Sequence, residues 1–178
     1  MFLCTTRSKA YFLTSKGEKK LIYEAPENGG LVVAVISTKD EVVIGLTDGT
    51  LKILNVKTNS IKDEIKISNQ IKGISCSIDG KSIVVNVSDR TLRVFSYPLV
   101  VKYKFQDLID RMNWIQAKFS NNGDYVIAGS GGKSKHNLYV LNAQEGNLIK
   151  MLEGPKEGFV DFSVSFVFND FSIIHLDP

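Results

Sequence analysis

Short apolar runs alternate with polar positions along nearly the whole chain, and clusters of Asp, Asn, Gly and Ser separate them. Alternation at a period of two marks a strand with one covered face, and no stretch holds the 3.6-residue spacing of a core helix. The one exception is Gln106 to Arg111, which is expected to form a single helical turn within a loop.

The runs repeat. Asp48-Gly-Thr-Leu-Lys-Ile-Leu-Asn55, Asp89-Arg-Thr-Leu-Arg-Val-Phe-Ser96 and His136-Asn-Leu-Tyr-Val-Leu-Asn142 align on Leu51, Leu92 and Leu138. Upstream of each lies a pair of runs: Leu31 to Ile36 with Glu41 to Leu46, Ile71 to Ser75 with Ser82 to Val87, and Trp114 to Phe119 with Tyr125 to Gly129. Lys39-Asp40, Asp79-Gly80 and Asn122-Gly123 join these pairs, and such residues tolerate the left-handed backbone of tight hairpins. A fourth run follows each time: Ile61 to Ile67, Val100 to Phe105 and Leu148 to Leu152.

Four antiparallel strands recurring at spacings of 41 and 46 residues make an all-β, WD40-type β-propeller. The expected organisation is one partial propeller over residues 1–178, with blades at roughly 1–25 (partial), 31–67, 71–105, 114–152 and 159–178 (partial). In the first of these, Ala10 to Ser15 and Lys20 to Glu24 flank a Lys16-Gly17 turn. Three full blades and two partial ones fall short of the about four to eight with which propellers close. The sequence is therefore expected to be a fragment or an incomplete gene product.

Composition narrows the picture. With 43% apolar residues the chain sustains a hydrophobic core, and 22 Lys and Arg against 19 Asp and Glu leave it only mildly basic. Any contact with a polyanion must come from local clustering of charge. Cys4 and Cys76 stand far apart without a CxxC pair or neighbouring histidines, so both are expected to be reduced packing residues and no metal site is expected. The first six residues are too short for a signal-peptide core, and no apolar run of ~18 residues suggests a membrane span. Gly129-Ser-Gly-Gly132 lacks the spacing of a phosphate-binding loop and reads as a flexible loop. No set of acid, base or nucleophile converges by motif: His136 is expected in a loop and His175 near the end, so no catalytic residue, cofactor or small-molecule substrate is expected.

The Trp-Asp signature is absent, because Leu54-Asn55, Phe95-Ser96 and Leu141-Asn142 stand in its place. More informative are Asp89-Arg90-Thr-Leu-Arg-Val94, Lys104-Phe-Gln-Asp-Leu-Ile-Asp-Arg111 with Trp114, Phe119-Ser-Asn-Asn-Gly-Asp-Tyr-Val-Ile-Ala-Gly-Ser130, and Gly146-Asn-Leu-Ile-Lys-Met-Leu152. Together these stretches resemble the propeller of the retinoblastoma-binding protein five family, from roughly Leu3 to Phe166. The resemblance implies a nuclear, non-catalytic subunit of COMPASS and mixed-lineage-leukaemia complexes, which methylate the fourth lysine of histone H3. It also implies partners: a SET-domain methyltransferase, the other core subunits and the nucleosome. The acidic segments that follow the propeller in that family are not part of this sequence.

In a four-strand meander the second-to-third turns and the blade-to-blade connections emerge on one rim. Arg90, Lys133, Lys135, Arg111 and Lys156 are expected there, together with Asp89, Asp107, Asp110, Glu153 and Glu157. By the resemblance, Arg90, Arg111 and Lys156 fall on positions that touch nucleosomal DNA, and Lys133 or Lys135 falls near a fourth. Their role would be phosphate neutralisation without base readout. Two other readings stand beside this one. A generic WD40 adaptor would grip a peptide with the same fold, and a truncated array would have no active partner. Asp48 and Asp89 are expected to cap turns, and Trp114, Phe119, Tyr125, Tyr139 and Phe166 to pack in the core.

Overall fold

The computed structural model describes residues 2–27, 30–38, 40–106, 113–131, 136–154, 161–164 and 173–176. Among them every regular element is a strand. Strands β1 (Phe2–Thr5), β2 (Lys9–Leu13) and β3 (Lys19–Glu24) form a three-stranded sheet. Three four-stranded antiparallel sheets follow in chain order. They comprise β4 (Leu31–Thr38), β5 (Glu41–Leu46), β6 (Thr50–Asn55) and β7 (Ser60–Lys66); then β8 (Ile71–Cys76), β9 (Ser82–Val87), β10 (Leu92–Ser96) and β11 (Val100–Phe105); then β12 (Asn113–Phe119), β13 (Tyr125–Gly131), β14 (His136–Asn142) and β15 (Leu148–Glu153). A two-stranded sheet of β16 (Asp161–Val164) and β17 (Ile173–Leu176) ends the series.

The chain divides into two compact units, Met1–Ile74 with Val87–Asp89, and Ser75–Asn86 with Arg90–Pro178. In the first, Ala10, Phe12 and Ile22 pack with Leu31, Val42, Ile44, Leu46 and Leu54. Strand β5 is buried along its whole length while β7 is largely exposed, as expected of inner and outer strands of one sheet. The buried Glu41 carboxylate at the start of β5 is paired with the Lys62 ammonium of β7.

The second unit packs Val84, Leu92 and Val94 against Trp114, Phe119, Val126, Ala128, Tyr139 and Leu141. Burial of each such aliphatic or aromatic side chain contributes about 1.5–3 kcal/mol. Its outer strands differ in what they show to solvent. Strand β15 is exposed at every position and carries Leu148, Ile149, Met151 and Leu152, with Lys150 among them.

Local hydrogen bonds explain why the polar punctuation sits where it does. In Ser77-Ile-Asp-Gly80 the Ser77 hydroxyl donates to Asp79 Oδ1 at 2.6 Å and accepts the Ser82 N–H at 2.9 Å. Ser120-Asn-Asn-Gly123 repeats the device: Ser120 Oγ lies 2.7 Å from Asn122 Oδ1 and accepts the Tyr125 N–H at 3.0 Å. After the third strands, Asn55 Oδ1 accepts the N–H groups of Lys57 and Thr58, and Asn142 Oδ1 those of Gln144 and Glu145. The Asn that replaces the Asp of the missing signature therefore still caps the turn.

Several expectations change. Gly129-Ser-Gly-Gly132 is not a flexible loop over its described part, because Gly129, Ser130 and Gly131 continue β13 and Ser130 is fully buried. A Cβ at Gly131 would lie 2.4 Å from Ile115 Cδ1, so the glycine makes room for a neighbour. His136 opens β14, opposite Gly131, instead of lying in a loop. Cys4 is exposed, not packed: alternation along β1 turns Leu3 toward the core and Cys4 away from it. Strand β1 is a separate element beyond the runs that the pattern predicts. Tyr125 is half-buried, and Phe166 lies outside the described residues, as do residues 107–111 of the expected helical turn.

Candidate functional site

The turn from β9 to β10 carries Arg90, the one expected site residue that falls within the described structure. Arg111, Lys133 and Lys156 lie outside the described residues, as do Lys135, Asp107, Asp110 and Glu157. Of the expected rim acids, Asp89 is half-buried and Glu153 is exposed at the end of β15.

Arg90 is exposed and has φ 66°, in the left-handed region that side-chain-bearing residues seldom occupy. The corresponding position of the preceding repeat is Gly49, with φ 86°. In that earlier turn Asp48 Oδ1 accepts the Thr50 N–H at 2.9 Å, and Asp48 Oδ2 lies 2.6 Å from Lys66 Nζ. The bond from Lys66 first, then those from Thr50, hold the Asp48 carboxyl down at about 2 against the opposing effect of burial. Asp48 is thus a turn cap, as expected.

The Arg90 turn receives a bond from a side chain of the next sheet. The indole Nε1–H of Trp114 donates to the Arg90 carbonyl oxygen at 3.0 Å. Trp114 is buried and meets Tyr139 edge-on, with ring centroids 5.1 Å apart. Its own carbonyl accepts from Asn86 Nδ2 at 2.9 Å. That carbonyl is available because the β12–β13 register shifts between Trp114 and Gln116, a bulge at Ile115. A buried tryptophan N–H requires a partner, and here the partner is the backbone of a surface turn.

Charge gathers at the same end of this sheet. Arg93 of β10 and Lys104 of β11 are cross-strand partners, one step inside the Leu92–Phe105 pair next to the Arg90 turn. Arg93 Nε also donates to Thr91 Oγ1 at 3.3 Å. Like charges placed directly opposite cost a few tenths to about 1 kcal/mol. The linear pattern does not single out Arg93 or Lys104, because cross-strand register is invisible in it. Among the described residues Arg90 forms no ion pair. An exposed guanidinium suits a phosphate or carboxylate ligand, since its planar fork donates two parallel hydrogen bonds.

No group of three or more His, Cys, Asp and Glu side chains is placed to hold a metal ion among the described residues. Burial pushes the Cys76 thiol up to about 12, which keeps it protonated and unreactive near neutrality.

Known proteins supply the context for this geometry. No family model matches the chain. The COMPASS component SWD1 of Saccharomyces cerevisiae is 31% identical over 89% of this chain and 42% of its own length. The Set1 complex component swd1 of Schizosaccharomyces pombe is 32% identical over 76% of the chain and 35% of its length. The Drosophila melanogaster retinoblastoma-binding protein 5 homolog is 25% identical over 88% and 35%. The chain thus spans less than half the length of these relatives. Among solved structures, the Cps50 (Swd1) β-propeller domain of Myceliophteria thermophila superposes with a TM-score of 0.74 at 27% identity, covering 85% of this chain and 55% of that one. The fold is that of a WD40-type β-propeller, and the sequence resembles the Swd1 and retinoblastoma-binding protein 5 propellers.

Proposed function

We propose that this chain serves as a non-catalytic scaffold segment of a Set1/COMPASS-type histone H3 lysine-four methyltransferase complex, acting in the nucleus. Its partners in this reading are the SET-domain subunit, the other core subunits and the phosphate backbone of nucleosomal DNA. The observation that carries the reading is the 31% identity to a COMPASS component over 89% of the chain. Within it, the DNA contact belongs to Arg90 with Arg111, Lys133 and Lys156. Arg93 and Lys104 add to the positive potential beside Arg90, since they neighbour its turn across the β10–β11 register. The role of these side chains is to neutralise phosphates, which positions the chain without reading bases.

The test is nucleosome binding across a salt series, comparing the chain with a variant in which Arg90, Arg111, Lys133 and Lys156 are all alanine, both first confirmed as folded. The expected result is salt-sensitive binding, with a log–log slope that is shallower in the variant by about 0.9 for every phosphate it no longer neutralises. Equal slopes and equal affinities would remove the rim as a DNA-binding surface and favour a peptide-binding adaptor.

A further inference from the structure

Arg90 holds a backbone conformation that L-residues adopt at a cost, at a position where the preceding repeat uses glycine. Such a residue persists where its surroundings over-determine it, and strain of this kind concentrates at functional positions. Here the over-determining group is a side chain. The Trp114 indole N–H, 3.0 Å from the Arg90 carbonyl oxygen, fixes the peptide plane between Arg90 and Thr91. The Arg90 backbone is thereby fixed, and with it the direction in which the side chain leaves the turn. The indole cannot drift, because its ring is edge-on to Tyr139 and its own backbone is held by Asn86.

We propose that Trp114 is a positioning residue for Arg90, clamping the turn so that the exposed guanidinium is already aimed when a phosphate arrives. This rests on reading Arg90 as a phosphate-binding side chain. Pre-organisation of the binding group removes part of the ordering cost of association, so loss of the clamp weakens binding without removing any charge. Trp114 is otherwise a core residue; the positioning role lies in its N–H alone.

Two measurements on the full chain with a short DNA duplex as probe test this. In the first, duplex affinity is compared among the unaltered chain, Arg90→Ala, Trp114→Phe and the double variant, after thermal melts confirm folding. Trp114→Phe keeps an aromatic ring in the core and removes the donor. It is expected to weaken binding by about threefold to tenfold, and to have no further effect once Arg90 is alanine. The same loss in both backgrounds, or no loss while Arg90→Ala does weaken binding, overturns the positioning role and leaves the phosphate-binding role of Arg90 standing. No effect of Arg90→Ala overturns that binding role itself, and the positioning role with it.

The second measurement leaves Trp114 intact, so it holds even where Trp114→Phe fails to fold. The chain contains a single tryptophan, whose indole N–H gives one nuclear magnetic resonance signal. That signal is expected to shift saturably as duplex is added, and to stay fixed with Arg90→Ala. A fixed signal in the unaltered chain, with Arg90-dependent binding intact, overturns the coupling.

Discussion

The turns that lead into Leu51 and Leu92 share the frame Asp-x-Thr-Leu, and x adopts the left-handed conformation in both, yet it is Gly49 in one and Arg90 in the other. At Gly49 the glycine is imposed by crowding: a Cβ would lie 2.2 Å from the carbonyl oxygen of Ile67 and 2.7 Å from that of Asn69. The Gly49 carbonyl accepts the Ile67 N–H at 2.8 Å, so the following connection lies directly over the turn. At Arg90 the same carbonyl is satisfied by a side chain, the Trp114 indole. The first turn uses its special backbone to let main chain approach main chain. The second keeps that backbone, places a long cationic side chain on it and gives its carbonyl a side-chain donor.

This contrast breaks most sharply at Gly49. Gly49→Ala combines a disfavoured φ with a clash against backbone that has no free end to move, and is expected to destabilise the chain by at least about 2 kcal/mol, read as a lower urea midpoint. An unchanged midpoint would mean that the two turns are equivalent and that glycine is incidental. Making the second turn like the first has the opposite sign. Arg90→Gly relieves the left-handed penalty but adds chain entropy to the unfolded state, for a net gain of about 0.5–1 kcal/mol and a rise in Tm of about 1–4 °C. The same variant is expected to lose DNA affinity, so stability and binding should move apart. A fall in both would show that the arginine side chain supports the fold.

The smallest effect concerns the capping carboxylate of the first turn. Asp48 is held at about 2 in the folded chain by Lys66 and Thr50, below its ordinary value. Its contribution is therefore present above the ordinary carboxylate range of about 3.9 and lost as pH falls through about 2. Asp48→Asn is expected to flatten the stability–pH profile over that acid window by lowering stability above it and leaving it unchanged below, by a small amount because the ion pair is half exposed and screened by water. An unaltered acid profile would show that Lys66 and Thr50 do not discriminate between the two forms of the carboxyl.

Much of the architecture is legible in the sequence because its causes are local. Period-two alternation and Asx-Gly turns announce strands and hairpins wherever they fall, and Ser77-Ile-Asp-Gly80 and Ser120-Asn-Asn-Gly123 form the same hydrogen bonds from nearly the same letters. The pattern misleads where the cause is distant. Gly129 to Gly131 suggest flexibility by composition, whereas Gly131 answers to Ile115 on the neighbouring strand. Cys4 suggests packing by residue type, and its exposure follows from the phase of strand β1, which the pattern does not reveal. At the candidate site Arg90 is legible as a turn residue. The pairing of Arg93 with Lys104 and the bond from Trp114 to Arg90 are not, since both depend on which strands lie side by side.

Strand β15 bears on how this protein behaves in a tube. Its sequence LIKMLE offers apolar side chains on both faces of an outer strand, interrupted by a single ammonium at Lys150 before the terminal Glu153. Lysine at such an edge opposes strand-to-strand docking between molecules, because each added copy would bring another positive charge alongside the last. Neutralising Lys150 is therefore expected to raise the tendency of this edge to template aggregation, whatever its effect on the folded chain itself.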